Sequence, residues 1–260
     1  MTAVDVAPRT AWLDGVNPVT KVAMVVVLAL PLLISVDAVS AAVALVLELL
    51  CVPLTGLPYR VVAKRLVPVL LFAPVAAVSM LLYARPGGTV YGTFLFATIS
   101  DDSLALSFAV LLRVVALALP MILLFARTDP TELADALAQV AKLPSRFVLG
   151  VLAGARTVGL FVDDWRTMTL ARRARGLGDR GAPRRFFSMA FVLLVFAVRR
   201  GTTLATAMEA RGFGADVERT WSRPSTLSPR DAVALAGALG LVAVALTAAV
   251  VSGAFRVVGT

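Results

Sequence analysis

Five stretches of this chain, at about 19–35, 38–57, 66–83, 103–126 and 231–251, are apolar over 17 to 24 residues each. That leaves few folds open. At 1.5 Å per helical residue, about 20 residues cross the roughly 30 Å hydrocarbon core of a bilayer. Inside lipid the backbone must satisfy its own N–H and C=O groups, so each stretch is expected to be a helix. Hydrophobic residues make up 59% of the 260 and the mean hydropathy is +0.89, against about 45–50% apolar for soluble domains. The expected fold is an all-α integral membrane protein with about five transmembrane helices. No short basic-then-apolar leader precedes the first stretch, so no cleaved signal is expected.

The first two stretches are separated by little more than Val36 and Asp37, which predicts a tight helical hairpin. Pro31, Pro68, Pro74 and Pro120 lie within stretches and are expected to kink them, which neighbouring helices tolerate in lipid. Charge sets the orientation. The amino-terminal segment carries Arg9 and Lys21, and Arg60, Lys64 and Arg65 follow the second stretch. The turn at Asp37 has no Lys or Arg, and 84–102 has only Arg85. Basic residues near spans mark the cytoplasmic side. The amino terminus and residues 128–230 are therefore expected in the cytoplasm, and the carboxy terminus, with Arg256, outside.

Residues 128–230 hold 16 of the 25 Lys and Arg and 9 Asp and Glu. Three helices are expected there, giving the division 1–127 (four membrane helices), 128–230 (cytoplasmic or interfacial helices) and 231–260 (last membrane helix). Thr128 or Asp129 can cap the first, with Pro130 in its opening turn and Pro144 ending it. The second runs from Ser145 to about Arg175. Its Gly150, Gly154 and Gly159 form a small-residue strip that lets another helix approach closely. The third runs from about Pro183 to Arg211. Its apolar core, Phe186 to Val198, reaches only about 20 Å and suits an interfacial or helix-packed position better than a span.

The last two of these helices end alike. Arg173-Ala174-Arg175-Gly176-Leu177-Gly178 returns 36 positions later as Glu209-Ala210-Arg211-Gly212-Phe213-Gly214. Gly past a helix end accepts the left-handed conformation, and Arg complements the negative end of the helix dipole. A cap alone requires neither Ala before Arg nor an apolar residue after Gly. Duplication on one membrane face points to two equivalent docking points for a partner with two equivalent subunits. There Arg175 and Arg211 would meet carboxylates with a planar fork.

With these motifs in order, the chain resembles the transmembrane (T) component of energy-coupling-factor transporters, bacterial importers of vitamins and transition metals. Asn17-Pro18-Val19-Thr20-Lys21 resembles the family's amino-terminal Pro-x-x-Lys motif. Arg127-Thr128-Asp129-Pro130-Thr131-Glu132-Leu133-Ala134-Asp135-Ala136-Leu137 resembles the opening of its coupling domain. Ala174–Gly176 and Ala210–Gly212 match its paired Ala-Arg-Gly signature. The resemblance implies a scaffold in the bacterial plasma membrane that binds no nucleotide. It implies that long coupling helices cross and that Arg175 and Arg211 each enter a groove of one cytoplasmic ATP-binding-cassette subunit. A small substrate-capturing membrane protein, the S component, is the third partner.

Other function classes find little here. The chain has no histidine and no G-x-x-x-x-G-K-[ST] loop, and its single cysteine, Cys51, is expected to be a buried thiol. The net charge of +9 sits beside spans, which favours an anionic leaflet or acidic partner over nucleic acid. No catalytic group, metal site or cofactor is expected. Asp163 and Asp164 read as a solvated helix face. Glu48 and Arg113 read as groups that snorkel to helix ends, with a mutual ion pair as the alternative. A membrane-embedded enzyme lacks its acid, His or Ser/Lys constellation. A stand-alone secondary transporter is the alternative function, though the odd span count and the large cytoplasmic helical block argue against it.

Overall fold

The computed structural model describes residues 11–83, 87–94, 97–176, 181–214 and 220–255. Among them are eight α-helices: α1 (Pro18–Ile34), α2 (Ala38–Leu50), α3 (Tyr59–Tyr83), α4 (Asp101–Phe125), α5 (Pro130–Gln139), α6 (Ser145–Ala174), α7 (Ala182–Ala210) and α8 (Pro229–Val251). The chain forms two compact units, 1–133 with 225–260, and 134–224. The first boundary falls within α5.

In the first unit α4 packs against α1, α2 and α3, while α8 packs against α1 and α2. Val52, Val62, Leu66, Val115, Leu119 and Leu123 make one core cluster, between α3, α4 and the 3₁₀ turn Val52–Thr55. Leu32, Ala44, Ala116 and Ala245 make another. Ala41, Ala44, Ala116 and Ala249 are at most 1% exposed. Small side chains at such crossings let helices approach closely, which is how membrane bundles gain packing energy without a water-driven term. The outward faces are as apolar as the core: Leu71 and Phe72 of α3 are 68% and 69% exposed. Water would oppose so much bare apolar surface, and lipid does not.

Local chemistry explains most element ends. The Asn17 side chain accepts from Val19 N–H at 3.0 Å with Pro18 in the first turn, and Asp37 accepts from Ser40 N–H at 2.6 Å. These caps close the expected α1–α2 hairpin. Asp129 rather than Thr128 caps α5, accepting from Thr131 N–H at 2.8 Å. α5 stops at Gln139, before Pro144, and Lys142 takes a left-handed φ of 53°. The helices run unbroken through Pro31, Pro68, Pro74 and Pro120.

Four expectations change. α2 ends at Leu50, and 52–55 is a 3₁₀ turn with Pro53 inside it, so the second stretch is a 13-residue helix. Cys51, at that end, is half-buried rather than enclosed. α3 starts at Tyr59, taking in Arg60, Lys64 and Arg65, because these residues are good helix formers once Pro58 has opened the turn. Five helices are long and apolar enough to cross a membrane, but they are α3, α4, α6, α7 and α8. The apolar helices α1 and α2 have only 17 and 13 residues. Length and mean hydropathy admit α6 and α7 because Ala, Val and Gly separate their charged positions.

Residues 90–100 also hold a feature with no helical period: an antiparallel hairpin, Val90–Phe94 with Ala97–Ser100. Val, Tyr and Thr favour that conformation. Asp101 anchors it, accepting from Tyr91 Oη at 2.7 Å and from Thr89 Oγ1. Ser100 and Ser103 then exchange reciprocal caps that start α4.

Candidate functional site

The second unit is built on α6 and α7. Arg172 donates to Ser188 Oγ at 2.8 Å, and Arg200 donates twice to Asp164, at 2.6 and 3.2 Å. Trp165 lies against Phe186 with ring centroids 5.5 Å apart. Arg146, in the first turn of α6, donates to the carbonyl of Gly214 beyond the end of α7. Late residues of α6 thus meet early residues of α7, and the start of α6 meets the end of α7. The helices are antiparallel. Helices of 30 and 29 residues are each about 45 Å long, so the two Ala-Arg-Gly ends are carried to opposite ends of the pair.

Those ends have the same backbone. Arg175 sits at φ −89°, ψ 7° and Arg211 at φ −91°, ψ 10°, each as the helix C-cap. Gly176 and Gly212 follow at φ 72° and 77°. Gly176 N–H donates to Arg173 O at 3.0 Å, and Gly212 N–H to Glu209 O at 2.9 Å. At the second end Phe213 N–H reaches Met208 O at 2.9 Å, completing the pair of bonds that closes a helix through a left-handed glycine. A Cβ at Gly176 or Gly212 would meet nothing within 4 Å, so only the positive φ demands glycine there.

The capping role of the repeat is therefore real, but it uses only backbone. Ala174, Arg175, Ala210 and Arg211 are exposed, and neither guanidinium has a partner among the described residues. A side chain that serves only a cap has no reason to be the same twice. Leu177 and Gly178, the rest of the first end, lie outside the described residues, as do Asp216, Glu218 and Arg219. Phe213 and Gly214 are half-buried.

Gly150, Gly154 and Gly159 are exposed on α6, and a Cβ at any of them would meet nothing within 4 Å. Gly150 and Gly154 share a face, but at 3.6 residues per turn Gly159 falls on the side opposite Gly150, so the three do not make the expected strip. No helix of this chain packs on these glycines among the described residues. Asp163 is exposed, whereas Asp164 is committed to Arg200. Among the described residues no group of three or more His, Cys, Asp or Glu could hold a metal.

Two motifs that are far apart in sequence meet in the first unit. Lys21 Nζ donates to Thr128 Oγ1 at 3.4 Å, tying the amino-terminal motif to the segment that opens the coupling region. Lys21 is only 5% exposed, which a basic residue before a span does not announce. Asn17 has a second set of bonds: its amide donates to Ser225 Oγ at 2.9 Å and Thr226 O at 3.2 Å, and its backbone N–H to Asp231 at 2.7 Å. Asp231 also accepts from Ser228 N–H and Oγ, at 2.6 and 2.9 Å. It thus clamps the start of α8 to the start of α1. Asp231→Ala orphans these buried donors and is expected to cost about 1–3 kcal/mol. A lower unfolding midpoint in detergent would show it, and an unchanged midpoint would refute the clamp.

Arg113 does not pair with Glu48. It donates to Ser35 O at the α1–α2 turn. Both Arg113 and Glu48 are buried, at 9% and 2% exposure, so neither snorkels to a helix end. Position along the helix decides this: Arg113 faces the start of α2, and Glu48 lies near its other end.

An apolar multihelical bundle with lipid-suited outer faces, joined to a charged antiparallel helix pair, defines a multi-pass membrane protein of all-α class. The chain belongs to the CbiQ family of cobalt transport proteins, whose family model matches residues 9–221 and so takes in both ends. It is similar to the energy-coupling factor transporter transmembrane protein EcfT of Exiguobacterium sibiricum, 30% identical over 204 residues, covering 73% of this chain and 77% of that one. The EcfT protein of Lacticaseibacillus paracasei is 31% identical over 202 residues, covering 72% and 75%. That of Leuconostoc gelidum subsp. gasicomitatum is 25% identical over 247 residues, covering 90% and 92%.

Proposed function

We propose that this T component is the non-catalytic scaffold of an importer that takes up a vitamin or transition-metal ion. Two cytoplasmic ATP-binding-cassette subunits, identical or different, dock at the two Ala-Arg-Gly ends. A small membrane S component captures the substrate and is the third partner. The observation that carries the reading is the shared backbone of the two ends, each presenting an exposed arginine with no side-chain partner among the described residues, at opposite ends of one antiparallel pair. One asymmetric chain can then engage two similar subunits. Closure of the ATPases would draw on the two ends together, and α6 and α7 would pass that displacement to the S component. ATP binding does this only by favouring one of two arrangements through different contacts in each.

In this reading the amino terminus and residues 128–230 face the cytoplasm of a bacterial cell, and the carboxy terminus lies on the other side. α6 and α7 meet the bilayer at its interface rather than crossing it. Mid-helix charges support that placement, since Arg156, Asp163, Asp164 and Arg166 would be costly in hydrocarbon. The open face at Gly150 and Gly154 is where a partner helix would approach.

The test is affinity purification of the chain from its native host in mild detergent, with mass spectrometry of what accompanies it. ATP-binding-cassette subunits and one small hydrophobic protein are expected. If no ATPase accompanies it under several gentle conditions, the scaffold reading fails and a self-contained transporter takes its place.

A further inference from the structure

Glu48 is 2% exposed and both its carboxylate oxygens are buried without a hydrogen-bond partner. Arg113 is engaged elsewhere, donating to Ser35 O. Glu48 lines a cavity of about 610 Å³ in the first unit, between α1, α2, α4 and α8. Leu28, Leu47, Leu124 and Leu241 are typical of its walls. Thr55, which shares the walls with Trp12 and Cys51, is already satisfied: the hydroxyl donates to Val52 O at 2.7 Å and accepts from Leu57 N–H at 3.2 Å. The cavity is thus a mostly apolar space of ligand size with an uncommitted carboxyl group in its wall, which is the usual form of a small-molecule site. Gly237 and Gly240 of α8 line it with room to spare, since a Cβ at either would meet nothing within 4 Å.

We propose that this cavity binds an amphiphile with a primary ammonium head, the head paired with Glu48 and the tail lying along the apolar walls. An acid in so dry a site is stabilised by a cation far more than at a surface, because the local dielectric is low. An ammonium has three donors and no acceptor, which suits two orphaned oxygens. The carboxyl group turns about its soft terminal torsion to meet the head. An anionic head would gain no such pairing, and would meet like charge once the acid ionises. The shared chemistry fits two sources, the ammonium of an aminophospholipid or a soluble hydrophobic amine. The site is separate from the Arg175 and Arg211 ends and does not depend on what docks there.

The test uses the full chain in phosphatidylglycerol nanodiscs with two photoreactive probes, a diazirine-bearing dodecylamine and the matching dodecanoic acid. The amine is expected to label peptides covering 47–54 and 233–244, and the acid to label them about tenfold less or weaker still. Glu48→Gln should remove that preference. Gly237→Leu, which fills the cavity without touching the acid, should reduce labelling by both probes, so a folding failure of one variant leaves the other decisive. Competition by phosphatidylethanolamine identifies a lipid source, and competition by unlabelled dodecylamine alone a soluble one. Equal labelling by amine and acid, no competition by either amine, or labelling that both variants leave unchanged would overturn the proposal.

Discussion

Arg175→Ala and Arg211→Ala together are expected to strip the ATPase subunits from the purified complex while leaving the membrane chain folded. Each arginine that docks against a carboxylate and is then lost leaves that acid buried and unpaired, at about 2–5 kcal/mol. Each kcal/mol figure translates at about 1.4 per decade, so one substitution weakens docking by about 30-fold or more. Each single variant should keep one contact and show partial loss. Lysine should fall between arginine and alanine, because it keeps the charge but not the bidentate fork. The fold is expected to be indifferent, since both ends are closed by backbone bonds through Gly176 and Gly212. The check is the ATPase-to-membrane-protein ratio in pull-downs, with the unfolding midpoint measured alongside. A double variant that keeps its ATPases would reduce the repeat to a pair of helix caps.

Leu119→Ala should destabilise the first unit by about 2–5 kcal/mol, the range for large-to-small changes in a close-packed core. Leu119 is fully buried, between α3 and α4 in the cluster with Val62, Leu66 and Val115. Leu71→Ala removes the same atoms from α3 at a position 68% exposed, and should change stability by about 0.5 kcal/mol or less. Lipid is as apolar as leucine, so the difference between the two comes from packing and not from transfer out of water. SDS-induced unfolding in mixed micelles would measure both. Equal losses would mean that α3 and α4 do not pack as described.

Much of this architecture is legible in one dimension because lipid imposes a simple requirement. Hydropathy over about 20 residues locates helices, and caps such as Asn17, Asp37 and Asp129 locate their starts. The repeated ends were readable too, since Ala-Arg-Gly is a local signal and a left-handed glycine closes a helix wherever it stands. The hairpin at 90–100 escaped because its strands are five and four residues long, too short for a period-2 pattern to stand out between apolar stretches. The start of α3 escaped because charge was taken to mark a loop, while Arg60, Lys64 and Arg65 also favour helix.

The sequence by itself determined that this chain is a helical membrane protein, where its hairpin turns, and that two helices end in the same arginine-bearing cap. All of these depend on residues within a few turns of one another. Tertiary structure alone decided that Lys21 meets Thr128, that Asp231 holds Asn17, that Arg113 serves Ser35 and leaves Glu48 bare, and that the arginine ends lie at opposite ends of an antiparallel pair. In a chain so uniformly apolar, inner and outer faces carry the same residue types, because lipid and core are equally welcoming to them. Which face is inside is then set by close packing between helices, and that information lies in the contacts rather than in the composition.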